Sequence, residues 1–292
     1  MIDMSKLNYQ IKDDLETLID AERIDIETLS KESGISKVTI YKILNTNKTT
    51  KSVYEKFYYY AYELGYRFNQ VKEEFLKESN NNVLFHGSKH GIENINYNSS
   101  RNNCDFGNGF YLGESFSSTA SFICENDNSC VYSFILDNTN LNIVKFSCSL
   151  EWMLAICYFR GYLNEYKESK IIKDIINKIN NADLIIAPIA DNKMFYIMTL
   201  FANGDISDNV AIHSLSAANL GNQYIIKSEK ALNYLKPIEK YYISNNEREE
   251  YIEVLKRRTD YIESKLKLAK REYRFGKYIE EILEWENLIV MD

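Results

Sequence analysis

Residues 83–122 read VLFHGSKHGIENINYNSSRNNCDFGNGFYLGESFSSTASF. The apolar run Val83–Phe85 ends at His86, Gly87 and Ser88, the pattern of a strand that closes on a turn. Further on, Gly107 and Gly109 bracket Asn108 just before Phe110 and Tyr111, the pattern of a glycine-punctuated strand. His86 is then a hydrogen-bonding ring at a strand end, Gly87 a bare patch of backbone and Tyr111 an aromatic face. Such parts suit a flat, polar, heteroaromatic ligand that takes one stacking surface and a few hydrogen bonds.

The chain around this stretch has 292 residues, 45% of them apolar, enough for two modest domains with buried cores. Two prolines and eleven glycines argue against a loop-rich or disordered protein. The 23 tyrosines, with many Lys, Asn and Ile, are a compositional bias that carries no chemistry. A net charge of −7 opposes bulk attraction to nucleic acid, so any such contact requires a local basic patch. Cysteines 104, 124, 130, 148 and 157 are odd in number and lack C-x-x-C spacing. With no secretory segment at the start, they point to free thiols in a reducing cytoplasm. No apolar run approaches the ~18 residues of a membrane span. Three scattered histidines without a partner at ligand spacing argue against a metal site.

Residues 1–79 read as all helix. Within IETLSKESGISKVTIYKILN, apolar Ile26, Leu29, Val38, Ile40, Ile43 and Leu44 mark the core, and Gly34 permits a left-handed turn between two short helices. Ser36 is a good cap for the second helix. This part resembles a helix-turn-helix of the Cro/repressor type, whose second helix would present Lys37, Thr39, Tyr41 and Lys42 outward. Between Ile35 and Tyr54 every charged residue is a lysine, the asymmetry of a phosphate-facing surface. Two readings stand for residues 26–51: DNA binding, or a docking bundle whose lysines are a solvated face.

Residues 80–240 shift to strand and helix alternation, an α+β domain. VYSFILD and LNIVKF flank an Asn-Thr-Asn turn as short strands. Helices follow at 150–163, 171–179 and 194–203, with the buried strand DLIIAPIA between the last two. Ser207 is the expected cap of a further helix ahead of the strand YIIK. Residues 241–292 carry 3,4-spaced apolar residues among alternating charges, interrupted at Gly276, with a second helix to Leu288. A helical hairpin packed on the preceding domain, or on a twin subunit in a homodimer, fits this pattern.

The 83–122 stretch also resembles the first two motifs of the diphtheria-toxin-like branch of ADP-ribosyltransferases, which includes the poly(ADP-ribose) polymerases. Their pattern is His-Gly-Ser or His-Gly-Thr, then Phe-Gly-x-Gly-x-Tyr, then a small hydroxyl residue and an aromatic. Phe106–Tyr111 supplies the second motif, and Thr119 and Phe122 stand where the hydroxyl and aromatic belong. The third motif is Asn222-Gln223-Tyr224-Ile225-Ile226, with Gln223 where that branch has its catalytic Glu. The lines ADLIIAPIADNKMF and GNQYIIKSEKAL resemble more closely a bacterial family of unknown function, in which Gln is usual at that place.

The resemblance implies a split-sheet fold that binds NAD as its substrate. It gives His86 the adenosine-side ribose and the Gly87 backbone the nicotinamide amide, with Ser88 completing the motif. Tyr111 and Phe122 would sandwich the nicotinamide ring and Thr119 would reach its amide. Gln223 would accept the 2′-hydroxyl of the nicotinamide ribose, with no full charge and no capacity as a base. A single ADP-ribose transfer to a protein or nucleic-acid acceptor is therefore expected, not polymer growth. Three carboxylates could supply a base: Asp191, expected first because it follows a buried strand, then Glu229 and Asp105. The alternative is a non-catalytic NAD(H)-responsive DNA-binding regulator.

Overall fold

The computed structural model describes all residues except 1, 5, 6, 8, 81, 99, 217–219, 274 and 284–292. The helical part comprises α1 (Lys12–Glu22), α2 (Ile26–Ser33), α3 (Lys37–Thr46), α4 (Lys51–Glu63) and α5 (Phe68–Ser79). Asp25 caps α2 by accepting from Thr28 N, and Ser36 caps α3 by accepting from Thr39 N. Gly34 closes α2 at φ 66°, the left-handed value a residue without Cβ adopts freely. Leu15, Leu18, Leu29, Ile40, Ile43, Tyr54 and Phe57 form the core of this part. Val38, expected in that core, is 79% exposed instead.

Among the described residues this part opens with a strand, not a helix. Ile2–Asp3 forms β1, paired antiparallel with β3 (Asn94–Ile95), and Met4 is buried under the sheet beyond.

Among the described residues, seven further strands make one mixed sheet in the order β6-β7-β8-β4-β2-β5-β9. They are β2 (Val83–Ser88), β4 (Phe110–Gly113), β5 (Cys130–Leu136), β6 (Ile143–Lys145), β7 (Leu184–Pro188), β8 (Asn222–Ile226) and β9 (Leu235–Tyr242). Alternate residues serve opposite faces, as the pleat requires: Ile185 and Ile225 enter one core and Leu184 and Ile226 the other. The first face is covered by α7 (Leu150–Phe159), α8 (Lys170–Asn180), α9 (Asn192–Ala202) and α10 (Asp208–Ser216). Helix α6 (Phe116–Ser121) lies beside β2, and α11 (Glu229–Asn233) leads into β9.

Strand pairing and helix extent are set by the fold. The strands flanking the Asn-Thr-Asn turn do not pair with each other; β5 lies next to one edge and β6 forms the other, parallel to β7. A parallel neighbour requires a long crossover, which α7 and α8 supply. Strand β9 was hidden by Pro237, which an edge strand tolerates. The tail is one long helix, α12 (Asn245–Glu272), and a short α13 (Ile279–Leu283); the continuation expected to Leu288 lies outside the described residues. The apolar stripe Ile262, Leu266 and Ala269 of α12 is buried in the chain's own core.

The helical part meets the sheet through buried polar groups. Lys72 of α5 reaches Asp14 of α1 at 2.9 Å and Glu239 of β9 at 2.9 Å, and Tyr58 donates to the same Asp14. Asn69 donates to Tyr242 O and to Glu247 at the start of α12. A lone cation between the buried Asp14 and the partly buried Glu239 cannot be removed cheaply. Replacing Lys72→Met keeps the stem and loses the charge; urea unfolding should show a loss of about 3–5 kcal/mol, and a loss under about 1 kcal/mol would mean the pair is solvated.

Candidate functional site

The three sequence motifs fall on three neighbouring strands, β8, β4 and β2. Gln223 pairs across β4 with Gly113, and Gly113 pairs across β2 with Phe85. That last pair is the one registered position between β2 and β4 among the described residues, so these strands part beyond it. A cleft of about 240 Å³ opens there, lined by His86, Gly87, Tyr111, Thr119, Phe122 and Gln223, and also by Cys104, Asp105, Arg160, Ile189 and Ala190. Its size, below the about 300–1,000 Å³ of drug-sized ligand sites, suits one ring and its sugar better than a whole dinucleotide.

His86 bridges the gap. Its Nδ1 lies 2.6 Å from Tyr111 O, and since a carbonyl only accepts, Nδ1 carries the hydrogen. The ring stacks on Phe110 at 4.4 Å. Burial lowers the imidazole's pKa below its ordinary value, against the opposing bond to Tyr111 O, so the ring is neutral near pH 7 with an Nε2 lone pair as acceptor. Tyr111 is pinned from its other end: its hydroxyl donates to Gly107 O at 2.7 Å and accepts from Phe106 N at 3.1 Å. Burial raises that phenol's pKa, so it remains a donor.

Helix α6, capped by Ser115, forms the other wall. Thr119 Oγ1 is buried and has no hydrogen-bond partner among the described residues. A Cβ at Gly113 would stand 2.6 Å from that oxygen, and one at Gly87 would stand 3.1 Å from Ile123 Cδ1 and 3.2 Å from Thr119 Cγ2. Both glycines therefore let α6 close on the strands. Phe122 is 47% exposed at the cleft's rim.

The other expected residues disperse. Ser88 does not line the cleft; its hydroxyl donates to Gly91 O at 3.0 Å and fixes the turn after β2. Asp191 caps α9, accepting from Lys193 N and Met194 N at 3.0 Å each, because that helix starts two residues earlier than its apolar pattern suggests. Glu229 is exposed in the first turn of α11, past the far end of β8. Of the three carboxylates only Asp105 lines the cleft. Lys37, Tyr41 and Lys42 are exposed on α3, Lys37 paired with Glu27 at 3.1 Å, while Thr39 has its hydroxyl 2.8 Å from Ser36 Oγ. Among the described residues no group of three or more His, Cys, Asp or Glu side chains could hold a metal ion. No helix among them is long and apolar enough to cross a membrane.

Sequence reading missed Arg160 and Lys227. Arg160 is the first charge after a run of apolar residues in α7, a signal that marks a functional or buried-pair position. Lys227 donates to Phe106 O at 2.9 Å and to Asn108 O, clamping the glycine loop, and burial lowers its pKa to about 8. A depressed amine contributes stability above its unfolded value near 10.5, and that contribution is lost as pH falls through about 8. The stability margin of wild type over Lys227→Met should therefore grow between pH 8 and pH 10 in urea titrations; a constant margin would contradict the burial of this amine.

The family model DUF3990, described as a protein of unknown function, matches residues 82–237, from the start of β2 into β9. Comparisons with curated proteins and with solved structures gave no match. The match takes in more than half of the chain and the whole cleft, and the chain therefore belongs to the DUF3990 family.

Proposed function

We propose that the protein is an NAD-dependent mono-ADP-ribosyltransferase. One observation carries the reading: His86, Tyr111 and Gln223, the three positions of the family resemblance, line a single cleft together with the Gly87 backbone and the unpartnered Thr119 hydroxyl. The neutral His86 offers Nε2 to a ribose hydroxyl. Gly87 and Thr119 offer backbone and hydroxyl groups to a carboxamide, and Tyr111 and Phe122 offer ring faces to the nicotinamide.

In the reaction, the bond from the ribose C1′ to the nicotinamide nitrogen breaks and its electron pair stays with that nitrogen, neutralising the pyridinium. Positive charge moves to C1′ and the ring oxygen of the ribose. A lone pair of the acceptor then bonds to C1′, and the acceptor's proton leaves to water. Gln223 stabilises the developing charge by accepting the 2′-hydroxyl with an amide oxygen. With an amide in place of a carboxylate, the site favours one transfer over chain growth.

With NAD labelled on its adenylate part and a cell lysate as source of acceptor, the wild type should release nicotinamide and retain label on a macromolecule. His86→Ala should lower the rate by about 10²-fold or more, and an unchanged rate would sink the assignment.

The exposed residues Lys37, Tyr41 and Lys42 of α3, following a capped turn at Gly34, favour a second reading for the helical part. There it is a helix-turn-helix, and the protein an NAD(H)-responsive DNA-binding regulator that holds NAD without cleaving it. In that case NAD survives hours of incubation intact. Retention of a DNA fragment should fall with salt and weaken further in Lys37→Ala/Lys42→Ala; retention unaffected by both would leave α3 a docking surface.

A further inference from the structure

The carboxylate missing from position 223 stands one hydrogen bond away. Asp105, buried just ahead of the glycine loop, accepts from Gln223 Nε2 through Oδ2 at 3.0 Å. Its Oδ1 accepts from Arg160 Nε at 3.1 Å and Nη2 at 2.5 Å, and the guanidinium stacks over the Phe195 ring at 4.0 Å. The second hydrogen of Gln223 Nε2 goes to Pro188 O at 3.1 Å. Both partners of Nε2 only accept. Turning the amide over would set Oε1 against a carboxylate and a carbonyl, so the amide has one orientation, with Oε1 left for the cleft.

We infer that Asp105 is a positioning residue that acts through Gln223, the two making one carboxylate divided over two side chains. The inference rests on the transferase reading. Asp105 takes no proton in it. Its charge polarises the Gln223 amide through the Nε2 hydrogen bond, which strengthens Oε1 as an acceptor of the ribose 2′-hydroxyl while C1′ becomes positive. Arg160 in turn holds Asp105 by two nitrogens, so the carboxylate cannot swing to solvent. The arrangement explains why Gln suits position 223: a Glu there would place two carboxylates about 3 Å apart, where both cannot ionise together.

This makes an exchange test available. Nicotinamide release gives kcat and KM for NAD in wild type, Asp105→Asn, Gln223→Glu and the double variant Asp105→Asn/Gln223→Glu. Asp105→Asn should lose about 10- to 100-fold in kcat, the scale for a partner that orients a binding residue, with KM within about twofold. Gln223→Glu should lose kcat at pH 8, because the carboxylate introduced at position 223 then faces the Asp105 carboxylate. The double variant should exceed Gln223→Glu at pH 8 by about tenfold, the low end of the same orienting scale, since the amide introduced at position 105 can donate to the carboxylate introduced at position 223. The recovery is partial because Pro188 O then faces an oxygen.

Wild-type kcat in Asp105→Asn, or a double variant no better than Gln223→Glu, would overturn the inference and leave the transferase reading intact. A wild type that releases no nicotinamide would overturn both. Should Asp105→Asn not fold alone, the comparison of Gln223→Glu with the double variant decides the matter.

Discussion

The site depends on the way β2 and β4 meet. Neighbouring strands in a sheet normally share a ladder, but among the described residues these share the single registered pair Phe85 and Gly113. Past that pair no further position of the two strands is in register among the described residues, and Tyr111 O is taken by the His86 ring. A side chain thus replaces a backbone donor, and buried backbone groups need such replacements. The opening is stable because the surrounding strands are well paired: β5 follows β2 over six positions and β8 follows β4 over four. Gly113 completes the constraint, for a side chain there would collide with Thr119 on the facing helix.

The helical part and the cleft are joined by more than adjacency. Glu73 of α5 accepts from Phe116 N at 3.1 Å, at the first turn of the helix that carries Thr119. Arg248 of α12 donates to carbonyls of Cys124, Asn126 and Asp127, the loop that follows α6. Helix α6 is therefore held from both sides, by elements from the start and the end of the chain that lie outside the family match. Lysine placement reflects the same economy. Lys51, one of the four lysines of the 35–54 segment, donates to Asp127 O and Asn128 at the sheet edge, which leaves Lys37, Lys42 and Lys48 as that segment's outward cations.

The mixed α and β architecture and the three motif strands were legible because Gly and aromatic spacing is a local signal that survives folding. The capped turn at Gly34 was legible for the same reason. What escaped was direction and pairing. Asp191 looked like a site residue because it follows a buried strand, but an Asp directly ahead of a helix is better satisfied by two free backbone N–H groups than by a cleft. Asp105 ranked behind Asp191, since nothing local says that Arg160, 55 positions later, and Gln223, 118 positions later, arrive beside it. Strand β9 alternates imperfectly and contains Pro237, so only its place at the sheet edge makes sense of it. Val38 misled because its spacing fits the core while its side faces outward with Tyr41.

Whether this cleft takes the nicotinamide end of NAD, as proposed, is decided by a crystal structure of the protein grown with nicotinamide. The expected result is a ring between Tyr111 and Phe122, its carboxamide within hydrogen-bond reach of the Gly87 backbone and Thr119 Oγ1. A ring bound elsewhere, or a cleft left empty at saturating nicotinamide, would contradict it.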